Sequence, residues 1–267
     1  MIRGFTFAPL RYTADMSKKL AFPDDIRPDF QGFSPAALSF LQNLRKHNER
    51  DWFKPRKEIY DNELKFAMEC LLGEFTSDRR PAGFPVKGDP KRGIFRIYRD
   101  VRFAKDKSPY KTHVGAVLTR SGGKGDPGLI YIHLEPGGSF LSAGFYSLDK
   151  DFLAAWRMRI VTDHERFLEV TSPFVKTDSK YYLRPRKALK TLPRGFQEFA
   201  GSPVADYLKW KHYLVGRSLT DKQVQSRKLL DHISELADIA GPFLQFGWDL
   251  LETAYEDDPR RHMRLKE

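Results

Sequence analysis

The chain has 267 residues, 40% of them apolar and 13% aromatic, which is enough material for one large core or two small ones. With 30% charged residues, a net charge of +11 and a mean hydropathy of -0.55 it reads as a soluble protein. No apolar run approaches the roughly 18 residues of a transmembrane helix, and the start lacks the apolar core of a secretory signal, so no membrane is expected as a partner.

The first residues, MIRGFTFAPLRYTADMSKKL, are rich in basic and hydroxyl side chains ahead of Asp15. A targeting peptide is one reading. The other makes Met16, followed by Ser-Lys-Lys, the true start. Residues 1–31 read as an extension. At Ser34 the N-cap and Pro35 at the first helical position predict a helix carrying Leu38, Leu41 and Leu44 on one face and ending near His47-Asn48. A second helix is predicted from Asp51 or Pro55 to about Phe75. Cys70 falls within it among apolar neighbours and reads as a small buried hydrophobe. It is the only cysteine, so no intramolecular disulfide forms, and a reducing, cytoplasmic compartment is the expectation.

Residues 76–92 read as a Pro/Gly loop. The pattern then changes to period two. GIFRIYRDVRF predicts a long strand with Phe95, Ile97 and Val101 in the core and Arg96 and Arg102 on a polar surface; Arg99 must be paired or turned out by a bulge. VGAVLT (114–119), LIYIHL (129–134) and SFLSAGFY (139–146) predict three more strands joined by tight turns, hence an antiparallel meander. A helix capped by Asp149 or Asp151 is predicted to run to about Val161, and a short one over about 163–171. The last third predicts helices at 203–214, 220–238 and 242–254, with Gly241-Pro242 breaking the last two. The fold class expected is α+β, an antiparallel β-meander packed against N-terminal and C-terminal helices. Its single domain spans residues 32–255, and 256–267 form a charged tail.

The positive charge is local. Residues 87–120 hold ten Lys/Arg against three Asp, a net of +7, and residues 176–194 hold seven against one Asp, a net of +6. The remainder is close to neutral. A local excess points to a site. In RIYRDVRFAKDKSPYK (96–111), Arg96, Arg99 and Arg102 offer forks for phosphate or carboxylate. Lys105, Lys107 and Lys111 add point charge, and Ser108 and Tyr110 add donors. The competing reading is internal pairing, with Arg96 or Arg102 bound to Asp100, Asp106 or Glu135 and the lysines solvated. The Trp52-Phe53 pair reads first as a core plug and otherwise as a stacking platform at the mouth of the same pocket, which Arg56 on the following turn would join. Tyr131, His133 and Glu135 alternate onto one strand face. At about 7 Å between i and i+2 they are expected not to bond directly, although a ligand would bridge them. Tyr98, Tyr110, Asp100, His133 and Glu135 are the available proton-transfer groups. His113 lies nearby in sequence. The histidines lack metal-ligand spacing and the glycines lack Walker or dinucleotide patterns, so neither metal nor cofactor is expected.

The run Arg96 to Lys111 also resembles the mark of the domain-of-unknown-function family numbered 2461, a group of bacterial and fungal proteins. FSPAALSFLQNLRKHNERDWF (33–53), with Arg56 and Tyr60 after it, is similar to that family's opening helix and Asn-x-x-x-Trp-Phe turn. YIHLEPGGSFLSAGFY and LKTLPRGF are similar to its strand pair and basic turn. The resemblance covers about residues 33–245. It implies a single α+β domain and no particular activity.

Three functions follow. The first is a shaped basic pocket for a small anionic or phosphorylated ligand, with or without enzymatic chemistry, built from the 96–111 residues with Trp52, Arg56, His133 and Glu135. The second is a nucleic-acid-binding module using both basic segments, the second of which interleaves Tyr181, Tyr182 and Phe196 with its cations. The third is a scaffold for an acidic partner. Carboxylates, tyrosines and a proline woven between the bases favour the shaped pocket.

Overall fold

The computed structural model describes residues 27–257 apart from Ser147 and Arg186, with side chains described to residue 252. Most of the predicted extension, the choice between Met1 and Met16, and nearly all of the charged tail lie outside the described residues.

The N-terminal half opens with α1 (Pro35–Lys46), capped as predicted by the Ser34 side chain, which accepts from the Ala37 N–H. Its buried face is Ala37, Leu38, Phe40, Leu41 and Leu44. Arg50 to Arg79 then trace one helical path in short pieces. These are α2 (Arg50–Phe53), a 3-10 turn (Lys54–Arg56), α3 (Lys57–Ile59), a π-helical stretch (Tyr60–Phe66), α4 (Ala67–Glu74) and a second π-helical stretch (Phe75–Arg79). Pro55 has no N–H to give, which is why the path tightens there. Cys70 is buried, and desolvation pushes its thiol up to about 11, as suits a packing residue.

The sheet follows. β1 (Val114–Leu118), β2 (Leu129–Leu134) and β3 (Phe140–Phe145) form the predicted meander, in register through Ala116↔Ile132 and Ile132↔Leu141. Two further strands extend it: β4 (Tyr182–Arg184) and β5 (Tyr213–Ser218). Among the described residues this gives a five-stranded antiparallel sheet in the order β1-β2-β3-β5-β4. Both additions go beyond the sequence reading, which gives no strand over 182–184 and a helix over 203–214. The only helix in the latter span is the single turn α7 (Ala205–Leu208). The hydrophobic stripe of β5 was disguised because one inward residue is Arg217. It is buried and pairs with Glu235 at 2.8 Å.

The helices α5 (Lys150–Thr162) and α6 (His164–Val175) sit where expected, with Asp149 capping the first. After the turn α8 (Asp221–Val224), helix α9 (Leu229–Asp257) runs unbroken through Pro242, against the expected break at Gly241-Pro242. An interior proline costs about 3 kcal/mol. Burying Leu230, Ile233, Leu236, Phe243, Leu244, Phe246 and Trp248 returns about 1.5–3 kcal/mol for each large side chain, so the helix persists.

The core lies between the helices and one face of the sheet. Phe145 packs tilted against Trp156 at 4.6 Å, Trp156 lies 5.2 Å from Tyr213, and Phe243 closes over them. Ile130, Ile132, Leu141, Ala143 and Val215 complete this inner face. The outer face carries Tyr131, His133, Phe140, Ser142, Leu214, Gly216 and Tyr182.

Candidate functional site

The motif 96–111 does not form the long strand its alternation predicts. Residues 93–95 run beside β1, with Val117 N–H donating to the Gly93 carbonyl (3.0 Å) and Phe95 N–H to that of Gly115 (2.9 Å). The chain then leaves the sheet and folds on itself. Arg99 N–H donates to the Pro109 carbonyl (2.9 Å) and Lys111 N–H to that of Ile97 (2.8 Å). Ile94 and Ile97, three apart, are buried, whereas Val101 is only half-buried. The reason is local. Asp100 accepts the Arg102 N–H at 3.2 Å and Asp106 accepts the Ser108 N–H at 2.9 Å. Short carboxylates that bond the backbone two residues on turn the chain and compete with a ladder.

Several predicted anion-binding cations are already engaged. Arg102 grips Asp100 with two nitrogens, at 3.0 and 2.7 Å, and Arg99 pairs with Asp106. Both carboxyls are held below the usual range, Asp100 chiefly by Arg102, and Asp106 by Ser108 first and then by Arg99. Lys107 donates to the Val101 carbonyl (3.0 Å) and Lys111 to that of Arg96 (2.9 Å). Burial lowers the Lys111 ammonium pKa, helped by Arg96 and Lys124. Arg96 and Lys105 are exposed and make no side-chain ion pair among the described residues.

The hairpin so formed docks on the N-terminal helices. Asn48 grips the backbone of Tyr110 at both ends, its amide donating to the carbonyl at 2.9 Å and its oxygen accepting the N–H at 3.0 Å. Tyr110 stacks on Phe53 at 4.0 Å and 18°, with Tyr98 5.4 Å away. Thus the two stretches carrying the family resemblance meet. Between them opens a hollow of about 350 Å³. Arg50, Phe53, Lys54 and Lys57 line one side, and Tyr98, Arg99, Val101, Pro109 and Tyr110 the other. Lys57 pairs with Asp61. Arg50 and Lys54 are exposed and have no ion-pair partner among the described residues. Burial, with Tyr98 second, raises the Tyr110 hydroxyl pKa; Arg50 opposes that rise and Asp51 adds to it. That phenol stays protonated and available as a donor.

Of the expected site residues, the hollow therefore gathers Tyr98, Arg99 and Tyr110. Arg96, Asp100, Arg102, Lys105, Asp106, Lys107, Ser108 and Lys111 surround or brace the hairpin without lining it. Trp52 stacks on His47 (6.0 Å, 18°) and lies 5.5 Å from Phe40, with the Arg56 guanidinium 4.8 Å over its ring. Arg50, Lys54 and Lys57 were not anticipated. Their signal was present, since with Phe53 they fall at i, i+3, i+4 and i+7 on one helical face.

His133 and Glu135 lie elsewhere, on the outer sheet face. Contrary to expectation they bond directly, His133 Nε2 to Glu135 Oε2 at 3.2 Å, while the Tyr131 hydroxyl reaches His133 Nδ1 at 3.0 Å. Strand spacing separates the backbones, but these long side chains lean along the strand and close the gap. Arg45 of α1 completes the line on Glu135 at 2.7 Å. The His113 ring lies tilted against His133, its centre 4.3 Å away. Burial drives its pKa down to about 4 and also lowers that of His133, so both are neutral at pH 7.

The second basic segment is divided by β4. Tyr181 turns inward beside Lys180, which pairs with Glu235, whereas Tyr182 and Arg184 face outward. Arg186 lies outside the described residues. A larger but more open depression of about 540 Å³ at Lys190 and Lys209 is weaker in charge, because Lys209 pairs with Asp206. Among the described residues no group of His, Cys, Asp or Glu is placed to hold a metal, and no helix is long and apolar enough to cross a membrane.

Fold and site together define an α+β protein in which a motif hairpin is clamped to an N-terminal helical unit beside an antiparallel sheet. The chain belongs to the family described as conserved hypothetical protein (DUF2461), whose model matches residues 36–246. No curated protein and no solved structure matches it.

Proposed function

We propose that the hollow between the helical path and the motif hairpin binds a small phosphorylated ligand that also carries a flat or apolar part. One observation carries the reading: two uncommitted cations, Arg50 and Lys54, border a ring cluster in which Phe53 and Tyr110 stack and Tyr98 tilts against both. Guanidinium and ammonium groups suit a phosphate or carboxylate. The rings suit the rest of the molecule, and Arg99, anchored by Asp106, is presented in a fixed orientation.

The test is a thermal-shift panel of nucleoside monophosphates, sugar phosphates and dicarboxylates on wild type and on Arg50→Ala/Lys54→Ala. A ligand at 100-fold over its Kd adds about 2.7 kcal/mol, which for a chain of this size raises Tm by roughly 5–10 °C. The double variant should keep the unliganded Tm, since both side chains are exposed, and lose the shift. No stabilising compound, or an equal shift in the variant, rejects the pocket.

A further inference from the structure

The outer face of the sheet holds a second arrangement, independent of the hollow. Across it lie Phe95 beside β1, Tyr131 and His133 on β2, Phe140 on β3 and Tyr182 on β4. Tyr146, 44% exposed, stacks on His212 at 4.8 Å beyond the ends of β3 and β5. Phe95, Tyr131, Phe140 and Tyr182 are half-buried.

Two glycines shape this face. The Tyr131 ring leans across onto Gly115, where a Cβ would stand 2.5 Å from its hydroxyl. The Tyr182 ring leans onto Gly216, where a Cβ would stand 2.8 Å away. Rings that lie down on a sheet turn a face outward. Between Tyr131 and Tyr182, Ser142 and Gly216 keep the middle of the same cross-strand row low.

Cations flank the rings at both edges of the sheet. Lys111 and Lys124 lie 5.6 and 5.5 Å from the Phe95 ring centre at the β1 edge, and Arg184 lies 5.0 Å over Tyr182 at the β4 edge. The face thus joins the two basic segments, 87–120 and 176–194. The carboxylate on it, Glu135, is neutralised by Arg45, and its two central histidines are neutral at pH 7.

We infer that this outer sheet face is a docking surface for single-stranded nucleic acid. Bases stack on the rings while the phosphates follow the cations from one edge to the other. Aromatic platforms bordered by positive charge take single strands because every base has a π-face, whereas a duplex hides its bases. Five inter-strand spacings of about 4.8 Å make the path about 24 Å long, which suits the short end of the roughly 4–16 nucleotides that one such module holds. An acidic protein would use the cations and leave the rings idle.

The experiment is fluorescence anisotropy with a labelled 12-nucleotide RNA, the matching single-stranded DNA, the DNA duplex and poly-glutamate at 100 mM salt. Single strands should bind at micromolar concentration and the duplex and poly-glutamate at least tenfold more weakly. Phe140→Ala/Tyr182→Ala should weaken single-strand binding at least tenfold without altering its salt slope. Lys124→Ala/Arg184→Ala, both exposed, should flatten the log-log salt slope by about 1.4. Tyr146→Ala, also exposed, reports stacking even if loss of the half-buried rings Phe140 and Tyr182 destabilises the fold, and should weaken binding several-fold. Arg50→Ala/Lys54→Ala should bind single strands as wild type does, which separates this surface from the hollow. Absence of binding, equal affinity for duplex or poly-glutamate, or full affinity in the ring variants overturns the inference.

Discussion

Asn48→Ala tests how the hollow is held open. Among the described residues, Asn48 is the one side chain that pins the hairpin backbone to the end of α1, through two hydrogen bonds of 2.9 and 3.0 Å to Tyr110. Tyr110 is 4% exposed, so its N–H and C=O do not regain full hydration when the amide is removed. Each bond contributes about 0.5–1.5 kcal/mol net, and an unsatisfied buried partner costs about 1–3 kcal/mol. A water entering the space left by the amide recovers part of that. The expected loss is about 2–3 kcal/mol, or a Tm lowered by roughly 5–10 °C, measured by urea and thermal unfolding. Asn48→Asp keeps the acceptor for Tyr110 N–H but sets a carboxylate against the Tyr110 carbonyl, so it should do no better than alanine. The stacking of Phe53 on Tyr110 survives in both variants, which keeps the chain folded. Ligand affinity in the hollow should fall in parallel, because Tyr98, Arg99 and Tyr110 ride on the released hairpin. A stability change within 0.5 kcal/mol of wild type would refute the clamp.

Two further outcomes follow from buried charge. Glu74, 6% exposed, accepts from the Phe30 N–H at 2.7 Å and pairs with Arg227. Glu74→Ala should cost about 3 kcal/mol in urea unfolding, at the low end for a broken buried pair because Arg227 still reaches water. Glu74→Gln, which keeps an acceptor for Phe30 but loses the charge facing Arg227, should cost distinctly less, and equal losses would place the whole effect on the ion pair and none on the Phe30 hydrogen bond. His113 titrates near 4 when folded against 6.5 in an unfolded chain. Between those values the unfolded state binds more protons, so stability rises with pH across the window and is lost as pH falls from 6.5 towards 4. By pH 4.5 the full shift would be worth about 2.5 kcal/mol, and because the ring is partly open to solvent, screening should cut the loss to roughly 1 kcal/mol. His113→Gln should show a smaller loss between pH 7 and 4.5 than wild type, and an identical loss would assign the acid sensitivity elsewhere, with neighbouring His133 the next group to test.

The elements that could be read from sequence are those whose local signals agree with their packing. Ser34-Pro35 starts α1, Asp149 starts α5, and three alternating runs with Gly-rich turns make the meander. The elements that could not be read are those where a tertiary contact overrides the local signal. Pro242 would end an exposed helix, but apolar packing carries α9 through it. Arg217 looks like a solvent residue until Glu235 arrives from α9 to pair with it. In the motif the alternation was real but subordinate, because Asp100 and Asp106 take backbone donors that a strand would need. The cations of the hollow stood in plain view on the Arg50–Lys57 face. The adjacent Trp52-Phe53 pair masks them, because it reads first as a core plug, and Phe53 is indeed buried.

The hairpin explains why charge was so concentrated in one stretch, and why counting it misled. Of the cations between Arg96 and Lys111, Arg99 and Arg102 neutralise the two aspartates that turn the chain, and Lys107 and Lys111 satisfy carbonyls that the turning leaves without ladder partners. Their first task is to hold an irregular backbone together. Phe95 and Lys111, at its root, face the outer sheet surface, while Tyr98, Arg99 and Tyr110 face the hollow. One braced hairpin therefore sets the geometry of both proposed sites. A lesion in its brace, such as Asp106→Ala, should disturb both, whereas Arg50→Ala/Lys54→Ala and Tyr146→Ala each reach only one.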